Sequence, residues 1–302
     1  MHIPDGFLST PVWAALDVAA VPAIGYMARR AQRTFDESRV PLLGVMGAFV
    51  FAAQMINFPV GVGTSGHLVG SALLTYTVGP AAAAVVMTAI LAIQALVFQD
   101  GGVLALGANL INMAVIGVIA AYLPYRVWGA TRLRPLAIFL GGAFSLLAGA
   151  ILAIAQLLLS GVPMPGGVLA VSLGLFAVAA ALEGAITLAV VQALERINPH
   201  FIQRPRERGG RALAALGLAA VALAVVGVLF ASAYPDGLES LAENIGIADR
   251  ARNLIETPLA DYEARFMSGE WARKAFAGLA GLALIFFACV AFGRLVSRRR
   301  GA

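Results

Sequence analysis

The chain has few charged residues, and it is poor in cysteine, which forms disulfides, and in lysine, which phosphate-binding loops require. Of 302 residues, 12% are charged, three are histidines, one is a cysteine, and Lys274 is the one lysine. The single cysteine, Cys289, excludes a disulfide framework and a thiolate metal cluster. The sequence has no Gly-Lys-Ser/Thr phosphate-binding loop and no His-Glu-x-x-His zinc motif. Any nucleotide energy must therefore come from a partner.

Hydrophobic residues make up 60% of the chain, and the mean hydropathy is +0.87, far above a soluble domain. Apolar runs of roughly 18 or more residues, the length that crosses a bilayer as a helix, recur along nearly the whole sequence. We predict an all-α, polytopic membrane helical bundle with a short extra crossing at 68–79. The long spans are predicted at 8–28, 41–58, 81–98, 103–123, 136–159, 168–194, 212–233 and 275–296.

Basic residues fall mainly on one side of this bundle. With nine crossings and an extracytoplasmic N-terminus, the segments 29–39, 126–134, 196–211 and 294–300 place sixteen of the twenty-one Lys and Arg together. Cytoplasmic loops retain arginine and lysine, so this side is the cytoplasm. We therefore predict a bacterial cytoplasmic (inner) membrane protein with a cytoplasmic C-terminus. The net charge of +5 follows from this bias, and no nucleic-acid partner is predicted.

A polar, Pro/Gly-rich connection at 196–211 marks the boundary between two units. We predict a membrane domain at 1–200, a basic cytoplasmic linker at 201–211 and a two-helix unit at 212–302. The external segment of the second unit, 234–274, carries eight acidic residues. In the first unit, Ala15, Ala19 and Ala23 form a small-residue stripe that predicts a helix interface. We predict packing inside the protein, and the alternative is an interface with a partner.

The two histidines that the topology places outside the membrane lie in short N-terminal and loop segments. The amine of Met1, the amide nitrogen of His2 and Nδ1 of His2 can close two chelate rings on one ion, and His67 adds a fourth nitrogen. Four nitrogens in a plane suit Ni(II) or Cu(II), with Co(II) behind them. A bulky residue such as His2 disfavours removal of Met1, and no basic signal-peptide region precedes the first span. The start of the chain is therefore predicted to be a ligand.

His67 follows the run 59–66, which holds too many glycines for a helix. Non-helical backbone near membrane depth must be buried in protein or line a cavity, so we predict that this loop enters a pocket. The alternative is an external turn with an exposed histidine. Gly63-Thr64-Ser65-Gly66 also fits the Gly-x-Ser-Gly signature of rhomboid proteases. Those proteases need a second membrane-embedded histidine as general base, which this sequence lacks.

Several polar side chains are candidates to orient the ligands through hydrogen bonds. They are Asp5, Gln54, Asn57, Ser65, Gln94, Asp100, Asn109 and Asn112. The spacing of Gln54 and Asn57, and that of Asn109 and Asn112, predicts a shared helix face. Their alternative role is to bind other helices, and the alternative for Asp100 is a place in an external turn. Glu183, an acid within a span, is predicted to pair with Gln156 or another polar group, or to serve a proton relay.

Three stretches together resemble the CbiM/NikM group, the substrate-capture subunits of energy-coupling-factor (ECF) transporters for cobalt and nickel. They are Met1-His2-Ile3-Pro4-Asp5-Gly6, Gly63-Thr64-Ser65-Gly66-His67-Leu68, and the stretch from Gln99-Asp100 through Asn109 to Asn112-Met113. This resemblance covers about residues 1–200. The motif Tyr234-Pro235-Asp236-Gly237-Leu238-Glu239 resembles the two-helix accessory subunit of the CbiN/NikN type.

The resemblance implies a seven-helix, non-catalytic capture unit in which Met1, His2 and His67 hold the ion in a nearly planar nitrogen site. It implies a membrane scaffold subunit (CbiQ/NikQ type) and ATP-binding subunits (CbiO/NikO type) as partners, within membrane lipid. Ligand chemistry favours Ni(II) as the transported substrate, with Co(II) as the alternative. A proton-coupled metal transporter that depends on Glu183, and a metallo-enzyme with an open coordination position, are the remaining alternatives.

Overall fold

The computed structural model describes residues 2–61, 63–199, 201–202 and 210–296, which form a helical bundle with one small strand pair. The helices are α1 (Thr10–Thr34), α2 (Val40–Gln54), α3 (Ser71–Val78), α4 (Pro80–Ile93), α5 (Leu106–Asn109), α6 (Gly117–Trp128), α7 (Arg134–Leu159), α8 (Gly166–Ile197), α9 (Gly210–Val225), α10 (Gly237–Asn244) and α11 (Glu270–Val296). Strands β1 (Phe58–Gly61) and β2 (Thr64–Gly66) form an antiparallel pair. The predicted all-α membrane bundle is confirmed. Met1 and most of the predicted linker lie outside the described residues.

Seven helical segments in the described ranges are long and apolar enough to cross a membrane. They are Thr10–Thr34, Pro80–Phe98, Leu106–Trp128, Arg134–Leu159, Gly166–Ile197, Gly210–Leu229 and Glu270–Leu295. The two other predicted crossings are shorter than the about 20 residues that a bilayer requires. They are α2, with 15 residues, and α3, with 8 residues that are all buried. The helix of the predicted span at 41–58 ends early, at Gln54, and β1 begins at Phe58.

Two π-helical segments interrupt the regular helices close to the predicted site. Gln94–Phe98 extends α4, and Leu110–Ile116 joins α5 to α6. A π turn shifts the side chains that follow it to another face of the helix, and such turns are frequent at functional sites. Gln94 opens the first segment and Asn109 directly precedes the second, so both candidate residues lie where the helical register changes.

Small residues let the membrane helices approach closely, since apolar burial gives little drive between helices in lipid. A Cβ on Gly142 of α7 would lie 2.8 Å from the Cα of Gly184 on α8. The predicted internal packing of the α1 stripe is wrong, because Ala15 and Ala19 are exposed. That face of α1 points away from the rest of the chain.

The second unit packs its helices against α2. Gly47 of α2 leaves room for α11, because a Cβ there would lie 2.7 Å from Sγ of Cys289. Cys289 is 1% exposed and fills this contact. Gly281 of α11 leaves similar room for the ring of Phe51. This packing places the segment between α9 and α11 over the β1–β2 hairpin and the N-terminal residues.

Candidate metal centre

The N-terminal segment is held in place by the amide of Asn109. The N–H of Ile3 donates to Oδ1 of Asn109 at 2.9 Å, and Nδ2 of Asn109 donates to the carbonyl of Ile3 at 3.1 Å. The N–H of Gly102 donates to the same carbonyl at 2.8 Å. These bonds hold the backbone directly after His2 in place.

Asp5 fastens the same segment to the loop before α5. Its carboxylate accepts hydrogen bonds from the N–H groups of Val103, Leu104 and Ala105 at 3.0, 2.8 and 3.2 Å. The side chain is 3% exposed, and a Cβ on Gly102 would overlap it. Asp5 therefore orients His2 through the backbone rather than by contact with its ring.

His67 directly follows β2 and is 8% exposed, so the alternative of an exposed histidine on a turn is wrong. The backbone just beyond it is held from two sides. Nε2 of Gln54 donates to the carbonyl of Val69 at 2.7 Å. The carboxylate of Glu183 accepts from the N–H groups of Val69 and Gly70 at 2.8 and 3.0 Å. The polar partner of Glu183 is thus the His67 loop and not Gln156.

The two histidine rings come together from segments 65 residues apart in the sequence. Their planes are parallel within 5°, and their centroids are 5.5 Å apart. His2 is 7% exposed, so both imidazoles are buried. The structure thus brings His2 and His67 to one place, as a shared ion requires.

Each ring has its Nδ1 engaged by an oxygen that can only accept a hydrogen bond. Nδ1 of His67 lies 3.0 Å from the carbonyl of Leu68, and Nδ1 of His2 lies 2.8 Å from Oδ1 of Asp100. An oxygen in that position requires a proton on Nδ1 of each ring, and in His67, which is neutral at neutral pH, the lone pair is therefore on Nε2. Nε2 of His2 is buried without a hydrogen-bond partner among the described residues. The predicted ligand atom of His2, Nδ1, is accordingly occupied by Asp100 in this structure.

A chain of hydrogen bonds runs from α2 to His2. Nε2 of Gln94 donates to Oε1 of Gln54 at 2.9 Å and contacts the hydroxyl of Tyr262 at 3.0 Å. The hydroxyl of Tyr262 donates to Oδ2 of Asp100, whose other oxygen contacts His2. Asp100 is therefore more than part of a turn. Tyr262, from the second unit, was missed because no sequence pattern marks it.

The Pro-Asp-Gly motif of the second unit contacts the His67 loop directly. The N–H of Ser65 donates to the carbonyl of Pro235 at 2.8 Å, and its hydroxyl donates to the carbonyl of Tyr234 at 2.7 Å. Oδ2 of Asp236 lies 3.8 Å from Nε2 of His67. Asp236 was not among the predicted site residues, although its motif was recognised.

Asn57 and Asn112 differ from the other candidates. Asn57 lies beyond the end of α2, so it does not share a helix face with Gln54. Asn112 lies in a π segment and forms two reciprocal hydrogen bonds with Gln156, at 2.9 and 2.7 Å. This is the helix-binding alternative, and Asn112 makes no described contact with either histidine. Its predicted face is wrong because the π turn changes the register after Asn109.

A polar cavity of about 290 Å³ opens beside the two histidines. Both units supply its walls. The lining side chains include His2, Gln54, Asn57, His67, Asp100, Asp236, Glu239, Asp261 and Tyr262. A cation in this space would have several carboxylates as well as both imidazoles around it, and the carboxylates would attract it.

Burial and nearby charge shift the pKa values of one histidine and two aspartates that line this cavity. Burial lowers the pKa of His67 to about 4, and nearby positive charge, including that of His2, acts in the same direction. Burial alone would raise the pKa of Asp100, but the charge and hydrogen bond of His2 and the hydroxyl of Tyr262 hold it below its usual range. Positive groups that include His67 likewise hold the pKa of Asp236 at about 2 against burial. At neutral pH His67 is therefore neutral beside two ionised carboxylates.

Side chains alone do not complete a metal site in the part of the chain that the structure describes. No group of three or more His, Cys, Asp or Glu side chains there is arranged to hold an ion. The two imidazoles account for two nitrogens. The predicted remainder comes from backbone nitrogen at the N-terminus, where Met1 is outside the described residues.

A multi-pass helical bundle with two buried imidazoles beside an acidic cavity at the ends of its helices has the architecture of a membrane transport protein for metal ions. Residues 2–201 match the family described as "Cobalt uptake substrate-specific transmembrane region" (CbiM), and residues 210–298 match the PDGLE domain. The chain belongs to the CbiM family and carries a PDGLE domain after it. The resemblance found in the sequence is confirmed.

Similar proteins agree with this assignment. A putative fused nickel transport protein NikMN from Archaeoglobus fulgidus is 33% identical over 294 residues, covering 94% of this chain and 95% of that protein. Cobalt transport protein CbiM from Acetoanaerobium sticklandii is 34% identical, covering 64% of this chain and 84% of that protein. A crystal structure of a transition metal transporter is 36% identical with a TM-score of 0.58, covering 69% of this chain and all of that one. The chain is thus a nickel/cobalt-type membrane transport protein, and the expectation of a non-enzymatic subunit is confirmed.

Proposed function

We propose that this chain is the substrate-capture subunit of an ECF transporter that imports Ni(II) into the cytoplasm. The observation that carries the proposal is the pair of buried, parallel imidazoles held 5.5 Å apart next to the N-terminal segment. With the amine of Met1 and the amide nitrogen of His2, the rings of His2 and His67 supply four nitrogens. Such a set suits a planar ion, and nickel prefers it over cobalt.

Binding through Nδ1 of His2 requires a movement of that ring. Nδ1 now contacts Asp100 at 2.8 Å, so the imidazole must turn about its Cβ–Cγ bond before Nδ1 can join a chelate with its own amide. The contact with Asp100 is therefore one that a chelate through Nδ1 has to replace. Asp5, Gln54, Ser65, Gln94 and Asn109 keep the surrounding backbone in place, and Asn57 faces the entry cavity.

The preference for nickel over cobalt has support from the comparisons as well. The relative that spans both units is named as a nickel transport protein, whereas the cobalt relative above aligns with 64% of this chain. Co(II) transport by the same machine is the alternative. Planar low-spin Ni(II) displaces an amide proton readily, which is the step that a backbone ligand demands.

The transport machine needs partners. We propose a CbiQ/NikQ-type membrane scaffold and CbiO/NikO-type ATP-binding subunits, since this sequence has no phosphate-binding loop. The exposed alanines of α1 leave a face on which a partner helix can pack closely in lipid. The capture unit is placed at 1–200, the cytoplasmic linker at 201–211 and the accessory unit at 212–302. Both the N-terminus and the acidic segment face outward from a bacterial cytoplasmic membrane.

The test compares detergent-purified protein that begins at Met1 with a variant carrying one extra residue before Met1, both tagged after Ala302. We expect one equivalent of bound Ni(II) with the d–d absorption of a planar site, lost in the extended variant because its amine is displaced. Equal binding by both proteins would remove Met1 from the site. One equivalent of cobalt in place of nickel would retain the capture mechanism and change the substrate.

A further inference from the structure

Glu183 is a buried acid that the proposed metal ligands do not explain. It lies in the middle of α8, within a membrane-spanning segment, and is 0% exposed. An ionisable side chain at such a position costs free energy, so it is rare and is paired with other polar groups. Its partners are backbone groups of the segment that carries His67.

The carboxylate lies at the N-terminal end of α3. Its two oxygens accept hydrogen bonds from the N–H groups of Val69 and Gly70, so both oxygens have a backbone donor. The first N–H groups of a helix lack partners within it, and the helix dipole favours negative charge there. Gly70 has φ +79°, which turns the chain into α3 at this point. This arrangement gives the buried carboxyl group polar partners within the membrane-spanning part of the protein.

One peptide group connects Glu183 to the ring of His67. The Leu68–Val69 peptide donates its N–H to Glu183 at 2.8 Å, while its carbonyl lies 3.0 Å from Nδ1 of His67. Hydrogen bonds in such a series strengthen one another in a medium of low dielectric constant. A carbonyl that accepts from one ring nitrogen of a metal-binding histidine fixes its tautomer and leaves the other nitrogen as the ligand.

We propose that Glu183 is a positioning residue that fixes the tautomer and orientation of His67 through the Leu68–Val69 peptide. Glu183 thereby links the position of α8 to the metal centre. The face of α8 that carries Val178 is exposed, whereas Gly184 packs against α7. A displacement of α8 would therefore move the peptide that holds His67. The link to ion capture rests on the function proposed above, while the effect on the tautomer does not need a metal.

The test uses full-length protein with selectively ¹⁵N-labelled histidine, without metal. In the unaltered protein we expect the ring of His67 as the Nδ1–H tautomer. Glu183→Gln has nearly the same volume but turns an N–H₂ group toward one of the two backbone donors. We expect it to convert His67 to a mixture of tautomers and to weaken Ni(II) affinity by about 10- to 100-fold, the usual effect of losing an outer partner of a metal ligand.

Thr187→Val is the matched control, because Thr187 is also 0% exposed on α8, one turn further on. It should leave the His67 spectrum and the Ni(II) affinity unchanged. If Glu183→Gln cannot be purified folded, Glu183→Asp keeps a carboxyl group on a shorter side chain, and we expect the same tautomer mixing. An unchanged His67 tautomer in a folded Glu183 variant would overturn the proposal. Failure of the unaltered protein to bind Ni(II) would instead refute capture and leave the tautomer result decisive for Glu183.

Discussion

At the scale of single residues, the two histidines have the same protonated nitrogen but different surroundings. His67 donates to a neutral carbonyl through Nδ1 and already has its lone pair on Nε2. His2 donates to the ionised Asp100, which a chelate through Nδ1 must displace. Only one of the two rings therefore has to change its protonated nitrogen when the ion binds.

We expect the protonated nitrogen of His2 to change from Nδ1 to Nε2 on addition of Ni(II), and that of His67 to remain Nδ1. Planar Ni(II) is diamagnetic, so ¹⁵N spectra of histidine-labelled protein with and without the ion measure this directly. His67 serves as the internal control. A His2 ring that keeps its Nδ1 proton in the nickel-bound protein would show that Nδ1 is not a ligand.

The pH dependence of capture follows from which groups lose protons. The amine of Met1, with a reference pKa of about 7.7–8.0, and the amide of His2 must be deprotonated to bind, so affinity should rise with pH. His67, with a pKa of about 4, is already neutral above about pH 5 and adds no dependence there. We expect Ni(II) affinity, measured by calorimetry, to fall steeply from pH 8 to pH 5. Constant affinity across that range would exclude amine and amide ligands.

At the scale of helices and strands, periodicity and charge predicted the long membrane helices, because lipid imposes a minimum length and an apolar composition. The same reasoning predicted that residues 59–66 are not helical. It could not predict that α3 is a buried eight-residue helix or that a π segment turns Asn112 toward Gln156. Those features depend on contacts between side chains that are distant in the sequence, so no local sequence pattern predicts them.

The N-terminal segment fits against the loop before α5 because Gly102 has no side chain. Gly102→Ala would place a Cβ on the carboxylate and backbone nitrogen of Asp5. We expect this change to push out the segment that carries His2 and to lower Ni(II) affinity by at least about tenfold, while the membrane helices remain folded. Gly167→Ala is the control, since nothing lies within 4 Å of a Cβ there. Circular dichroism and nickel titration of both variants separate loss of the site from loss of the fold.

At the scale of the whole molecule, both units contribute to the candidate metal centre. Asn109 and Glu183 of the first unit hold the backbone beside the histidines, while Tyr262 and Asp236 of the second approach from the opposite side. Tyr262 and Asp100 are 162 positions apart in the sequence. Their contact could therefore not be predicted from the sequence and is known only from the structure. The motif around Asp236 identified the second unit but did not show that it meets His67. The second unit therefore covers the site instead of lying beside it.

The contribution of the second unit can be measured at Asp236, which places a carboxylate 3.8 Å from Nε2 of His67. Asp236→Asn removes the charge, yet asparagine also caps helices well, so α10 should remain intact. We expect Ni(II) affinity to fall by about tenfold, because a cation bound at Nε2 loses a nearby negative charge. Asp249→Asn makes the same charge change at an exposed position of the same segment and should have little effect. Equal losses in both variants would mean that the segment acts only through its total charge, and equal affinity in all three proteins would mean that Asp236 does not act on the ion.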